Sequence, residues 1–207
     1  MTNKKNYLYL DSSLFVQVGI LDEDFNWVHF EVVENKKGSA VIHTILHDVL
    51  KSNNISLRSI SALILANGPG SYTGIRLSEG IAQILEIEDI EIFSFYHYEV
   101  PMFCGLEDYE FYANAFKGEI FKYSYKSEGE KFDMITNDVF KGMSFENNNL
   151  YHINGELEDK YMESTSSLIK NKSKVVMSEV VKRREHNPPY YFRTLEEEFK
   201  PTFGNKQ

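Results

Sequence analysis

Apolar and polar positions at the start of the chain have the short period that is typical of β-strands. Three runs rich in β-branched and aromatic residues, separated by short polar connectors, cover residues 7–11 (YLYLD), 15–21 (FVQVGIL) and 27–33 (WVHFEVV). Connectors of this length join antiparallel neighbours, so the pattern predicts a three-stranded meander.

Between residues 38 and 52, the spacing of apolar residues changes to the period that is typical of an α-helix. Six apolar residues fall there on one broad helical stripe, namely Val41, Ile42, Ile45, Leu46, Val49 and Leu50. Residues 60–66 (ISALILA) are almost continuously apolar, as expected of a strand covered on both faces. A helix over 73–85 and a strand over 90–95 follow. This order of elements is typical of a ribonuclease-H-like half, the building block of actin-like folds.

The second half of the chain predicts a smaller lobe. Its strands are expected at 109–115, 119–126, near 132–136 and near 150–153, and a helix is expected over 173–184. We place the boundary between 97 and 107, which gives a first lobe of about 1–100 and a second of about 101–207. No internal repeat is visible in the sequence. The predicted fold is therefore α/β, actin-like or ribonuclease-H-like, with two lobes and a reduced second lobe.

Composition and charge narrow the function classes. The chain has 22 Lys and Arg against 31 Asp and Glu, a net charge of −9, which repels phosphate backbones and acidic lipids. Nucleic acid is therefore disfavoured as a sole ligand. The single cysteine, Cys104, cannot form an internal disulfide, and the N-terminal residues resemble neither a signal peptide nor a membrane span. We expect a cytoplasmic protein without membrane contact.

A glycine-rich loop, NGPGSYTG at 67–74, carries the most specific pattern in the chain. It is not a P-loop, because the lysine that follows the last glycine of such loops is absent. Two interpretations remain. In one, the loop is a tight strand-to-helix turn with a serine or threonine cap. In the other, Ser12, Gly70 and Ser71 offer hydroxyl and amide groups to an anion or a nucleotide.

The sequence around this loop resembles a known family. Residues 62–83 (ALILANGPGSYTGIRLSEGIAQ) are similar to the signature of the bacterial tRNA threonylcarbamoyladenosine biosynthesis family TsaB, also called YeaZ. Weaker similarities occur in the same order at 7–13 (YLYLDSS), 112–125 (YANAFKGEIFKYSY) and 187–201 (NPPYYFRTLEEEFKP). Asn114 and Phe116 stand where the family has Asp and Arg, so the chain resembles a divergent member that lacks this Asp and Arg pair.

The resemblance implies a noncatalytic subunit that pairs with a TsaD-like catalytic subunit. With a TsaE-like ATPase, such a complex attaches threonylcarbamoyl to an adenosine beside the tRNA anticodon. It also implies contact with tRNA only through the complex. Actin-like folds bind phosphates between their lobes, so we expect ATP or ADP at the partner interface rather than on the chain alone. The sequence leaves open whether the free chain forms a homodimer, which helices with exposed apolar surface often do when their partner is missing.

In the family, the partner contact uses first-lobe helices that correspond here to about 38–52 and 73–86. Apolar residues of the second helix extend around more than one side, which is more than one sheet contact needs, and Gly74 and Gly80 would let a neighbouring helix come close. In the contrasting interpretation, these apolar residues belong to the ordinary hydrophobic core. The expected contact residues are Ile42, Ile45, Leu46, Val49, Leu77, Ile81 and Leu85.

Candidate metal ligands are sparse. His97 stands alone where the related catalytic subunit has a His-x-x-x-His pair, and one imidazole does not make a site. His43 and His47 have the i, i+4 spacing that could hold zinc, but no third ligand can be assigned, so no metal site is predicted. Asp11 ends the first strand, where a metal-dependent nuclease would place one carboxylate. The alternative function that stays open is a metal-dependent hydrolase or peptidase, or an independent ATPase of the actin-like superfamily.

Overall fold

A computed structural model describes residues 6–33, 42–115, 118–145, 149–153 and 162–192. These residues form two five-stranded mixed sheets with helices packed on and between them. The α/β class predicted from the periodicity is confirmed.

The first sheet is built from five strands of the N-terminal half. They are β1 (Asn6–Asp11), β2 (Val16–Leu21), β3 (Trp27–Val33), β4 (Ile60–Ala66) and β5 (Glu91–Phe95). Their order across the sheet is β3-β2-β1-β4-β5. β1 pairs antiparallel with β2 and parallel with β4, so the meander continues into a parallel pair. This is the ribonuclease-H-like order, as predicted.

Two helices cover one face of the first sheet. They are α1 (Ile42–Ser52) and α2 (Tyr72–Ile87), and their buried apolar residues share one core with Leu8, Leu10 and Leu63 of the strands. The predicted start of the first helix at residue 38 lies outside the described residues. α2 starts one residue before and ends two residues after its predicted span.

The second sheet has the same strand order as the first. Its strands are β6 (Tyr109–Asn114), β7 (Glu119–Lys126), β8 (Gly129–Thr136), β9 (Leu150–His152) and β10 (Glu163–Ser164). Their order is β8-β7-β6-β9-β10, with the first three strands antiparallel and the last two parallel to β6. The chain therefore repeats one topology twice, although its sequence shows no repeat. Two lobes of this kind make the fold actin-like.

A layer of short helices and aromatic side chains lies between the sheets. It contains α3 (Val100–Phe103), α5 (Thr165–Asn171) and α6 (Ser173–Arg183), while α4 (Asn137–Lys141) packs beside β8. α6 contacts β4 and β5, so this late helix packs on the first sheet. One buried cluster runs through the layer and includes Tyr9, Ile64, Phe111, Tyr123 and Met177. The lobes thus share a core.

The chain after α6 runs back along the first lobe as an extended strap, residues 185–192. The backbone amide of Ser94 donates to the carbonyl of Glu185 at 2.7 Å, and the amide of Tyr190 donates to the carbonyl of Asn67 at 2.9 Å. The Tyr190 ring lies against rings of both lobes, with centroids 5.5 Å from Tyr96 and from Phe121. The strap therefore closes over the carboxyl ends of β4 and β5.

None of the helices among the described residues combines the length and the apolar character that crossing a membrane requires.

Candidate functional site

An apolar groove lies between α1 and α2 on the first lobe. Its volume is about 420 Å³. It is lined by His43, Leu46, His47, Leu50, Lys51, Ile55, Leu57, Ile81, Ile84 and Leu85. The floor is apolar, and imidazole and ammonium groups of α1 stand on one rim.

The α2 side of this groove continues into an exposed apolar stripe. Leu77, Ile84 and Ile87 are 38%, 62% and 81% exposed, and Ile81 between them is half-buried. Their spacing of four, three and three residues places all four on one helical face. Gly80 lies on the same face, and a Cβ there would meet no atom within 4 Å. We call these four residues the α2 stripe.

The seven predicted contact residues divide into two groups. Ile42, Leu46, Val49 and Leu85 are at most 8% exposed and belong to the core that the helices form with the sheet. Leu46 and Leu85 also line the groove, whereas Ile42 and Val49 do not. All four are buried because a helix that packs on a sheet buries its widest apolar stripe. Ile45, Leu77 and Ile81 reach the surface or come close to it. Ile84 and Ile87, which the prediction did not include, are the most exposed apolar residues on this face.

The two histidines of α1 both lie at the groove. His43 and His47 are exposed and line its rim one helical turn apart, with Lys51 one turn further on. Within the described ranges, no group of three or more His, Cys, Asp or Glu side chains is placed to hold a metal ion. The pair is therefore a feature of the groove's rim.

The glycine-rich loop packs against the turn after β1. The Ser71 amide donates to the Ser13 carbonyl at 2.6 Å, and the Ser71 hydroxyl caps α2 by accepting from the Gly74 amide at 3.3 Å. A Cβ on Gly70 or Gly74 would lie well inside the 3.0 Å that real Cβ atoms keep from backbone oxygens, here those of Ser13 and Ser12. Gly74 thus permits close approach within the chain, and Gly80 is the glycine that is open to a neighbour.

These contacts also involve the groups predicted to meet an anion. The Ser12 hydroxyl is buried and bonds to the Ser78 hydroxyl, and the Ser71 amide is used as described. The loop has the geometry of a tight strand-to-helix turn, and the binding of an anion or nucleotide by this loop stays a prediction.

A buried polar cluster joins the two lobes. His97 Nε2 lies 3.1 Å from Asp11 Oδ2, and His97 Nδ1 lies 3.0 Å from Thr165 Oγ1 at the start of α5. The Asp11 carboxylate also accepts from the Ser13 amide at 2.8 Å and from Gln17 Nε2 at 3.2 Å. Asp11, His97 and Thr165 are 0% exposed. His97, isolated in the sequence, is a structural link whose partners are distant along the chain.

The repeated strand order, the shared core and the α1/α2 groove define a two-lobed, actin-like α/β protein. No family model matches the chain. Over 59 residues it is 37% identical to the tRNA threonylcarbamoyladenosine biosynthesis protein TsaB of Escherichia coli (strain K12), a match that covers 28% of this chain and 25% of that relative. The chain is thus similar to TsaB in sequence over about a quarter of that relative's length, and it is similar to YeaZ in fold.

Two solved structures are similar in fold to nearly the whole chain. One is a Pseudomonas aeruginosa protein described as similar to the peptidase YeaZ, with a TM-score of 0.61 at 16% identity, covering 91% of this chain and 100% of that one. The other is YeaZ from Pseudomonas aeruginosa, with a TM-score of 0.59 at 15% identity and coverage of 90% and 99%. At identities this low the likeness shows the fold alone, because one fold hosts many functions.

Proposed function

We propose that this chain acts in the biosynthesis of threonylcarbamoyladenosine in tRNA, as a noncatalytic subunit that binds a TsaD-like catalytic subunit through the α1/α2 groove and the α2 stripe. The similarity to TsaB in sequence and to YeaZ in fold supports the pathway. The exposed α2 stripe is the observation that carries the partner role.

The stripe is suited to helix packing. Three exposed apolar side chains and one half-buried side chain follow the spacing by which one helix meets another, and Gly80 in their midst leaves room for a close backbone approach. Ile87 at 81% exposure is costly in water unless something covers it. An apolar patch of this kind on a folded lobe commonly marks a protein interface.

The charges on the molecule fit a role inside an assembly. A net charge of −9 opposes direct binding of tRNA by the chain alone, so we place tRNA contact on the complex. Among the described lining residues, the groove has His43, His47 and Lys51 on its rim and no carboxylate, which favours an apolar partner surface edged with acidic groups. The proposed complex also includes a TsaE-like ATPase, with ATP or ADP at the partner interface. The free chain associates with itself through the same face, and the complex acts in the cytoplasm.

The test is the affinity of the purified chain for the TsaD-like subunit of the same cell, measured by titration calorimetry. Fully burying an isoleucine contributes about 1.5–3 kcal/mol, and Ile84 has 62% of its surface to bury, so losing that contact costs about 1–2 kcal/mol. A carboxylate forced into the interface adds roughly another 1 kcal/mol. We expect Ile84→Glu to raise Kd by about 30-fold to 100-fold.

The matched control is Val139→Glu on α4, where the side chain is 54% exposed but lies on the second lobe. It should leave Kd unchanged. Equal affinity for the native chain and Ile84→Glu would remove the stripe from the interface, and ATP hydrolysis by the chain alone would favour the independent ATPase.

A further inference from the structure

A second groove lies between the lobes and shares no lining residue with the α1/α2 groove. It has a volume of about 290 Å³ and is bordered by the turn after β1, by β2 and β3, and by β9 and α5 of the other lobe. Its apolar walls include Leu14, Phe15, Phe30 and Val32. Leu14, Phe15 and Val32 are 38%, 38% and 43% exposed.

A buried amide oxygen at this groove has no hydrogen-bond partner among the described residues. Gln17 lines the groove and is 4% exposed. Its orientation is fixed, because the Asp11 carboxylate only accepts and Gln17 Nε2 donates to it at 3.2 Å and to Ser166 Oγ at 3.0 Å. Gln17 Oε1 then has no donor anywhere in the described part of the chain. A buried carbonyl without a donor costs free energy, and this cost is removed when a donor arrives.

The groove also selects for charge. Lys170 is the one charged side chain among its described lining residues, and the ring of His152, which also lines it, is buried. Lys170 Nζ stands 5.6 Å from the centroid of the Phe30 ring, so the ammonium lies beside an apolar wall. In a chain of net charge −9, a pocket with a cation and no carboxylate favours an anion.

We propose that this inter-lobe groove binds a small organic monoanion with a compact apolar body and one N–H or O–H donor. The donor meets Gln17 Oε1, the anionic group meets Lys170, and the body lies between Phe15, Phe30 and Val32. The volume is at the low end for small-molecule sites, which begin at roughly 300 Å³, so a compact acid fits. The proposal is independent of the partner groove.

The chain has an internal reporter for this site. Trp27 is its single tryptophan, its ring centroid is 4.7 Å from that of Phe30, and its indole Nε1 donates to the Lys170 carbonyl at 2.9 Å. A ligand that contacts Phe30 and Lys170 should therefore change the emission of Trp27.

The test titrates the full chain with three probes that do not absorb at the excitation wavelength. Hydroxyisocaproate has the charge, the apolar body and the donor, isocaproate lacks the hydroxyl, and isohexanol lacks the charge. We expect a saturable Trp27 change with hydroxyisocaproate in the millimolar range and binding of each of the other two weaker by about tenfold, the value of one hydrogen bond or ion contact.

The Lys170→Met variant separates recognition from non-specific contact. It should abolish the preference of hydroxyisocaproate over isohexanol, whereas Lys174→Met, an exposed lysine outside the groove, should preserve it. Equal binding of the three probes, an unchanged preference in Lys170→Met, or no saturable change with any probe would overturn the proposal. The last result would mean that only water donates a hydrogen bond to Gln17 Oε1.

Discussion

Gly74→Ala tests whether the glycine-rich loop exists for close packing. The new Cβ would collide with the backbone oxygen of Ser12, which cannot move aside easily because Ser12 is buried and its hydroxyl bonds to Ser78. Overpacking of this kind costs about 1–3 kcal/mol, and a clash with backbone lies at or above the upper end. The gain in helix propensity returns about 1 kcal/mol.

The net expectation for Gly74→Ala is a loss of about 2 kcal/mol or more. For a domain of this size, a loss of 1 kcal/mol lowers Tm by about 2–4 °C, so Tm should fall by about 4–8 °C or more. Gly80→Ala is the matched control, because its Cβ meets nothing and it also lies within α2. Gly80→Ala should be more stable than the native chain by about 0.5–1 kcal/mol, with a Tm about 1–4 °C higher.

The assay is reversible thermal or chemical unfolding of the three proteins at one pH and one concentration. If Gly74→Ala were as stable as Gly80→Ala, the packing explanation of the loop would be refuted. The same variants also probe the interface, since a methyl group at position 80 fills the space that Gly80 leaves for a partner helix and should weaken binding of the TsaD-like subunit.

Two further predictions concern buried polar groups. His97→Ala leaves the Asp11 carboxylate buried without its imidazole and should cost about 3–5 kcal/mol in chemical unfolding, with His97→Gln, which keeps one donor, milder. At Glu110, burial alone would raise the pKa, but hydrogen bonds from Lys122 and Tyr112 outweigh it and lower the pKa of this carboxyl. Its stabilisation is therefore present above its ordinary pKa of 4.5 and is lost as pH falls through the lowered pKa of the folded state, so the stability advantage of the native chain over Glu110→Gln should shrink as pH falls below 4.5.

Much of the first lobe could be predicted from periodicity. The meander, the buried strand and the two helices each have a local signature, because each buries one face or both faces of a regular element. In the second lobe, periodicity also predicted β6, β7, β8, β9 and α6 close to their observed ranges, but the repetition of the first lobe's topology had no local signature. β10 has only two residues, and α5 and α4 have seven and five, which is too short for a period to be recognised.

The candidate sites were less predictable, because they depend on contacts distant in sequence. His97 meets Asp11 and Thr165 across 86 and 68 positions, so its partners could not be read from its neighbours. Ile42 and Leu77 are both apolar residues of amphipathic helices, and only the packing shows that the first is 2% exposed and the second 38%. Gln17 lies within the strand predicted at 15–21, and nothing in its sequence position marks it. Its side-chain oxygen lacks a donor among the described residues because its amide nitrogen is the atom that faces the Asp11 carboxylate.

Cross-linking from the end of the α2 stripe tests the central claim most directly. A photoreactive benzoylphenylalanine at position 87, where Ile87 is 81% exposed, should form a covalent product with the TsaD-like subunit when the two proteins are mixed and irradiated. The same group at position 139 on α4 should not. A product from position 139 and none from position 87 would contradict the assignment of the α2 stripe as the partner-binding surface.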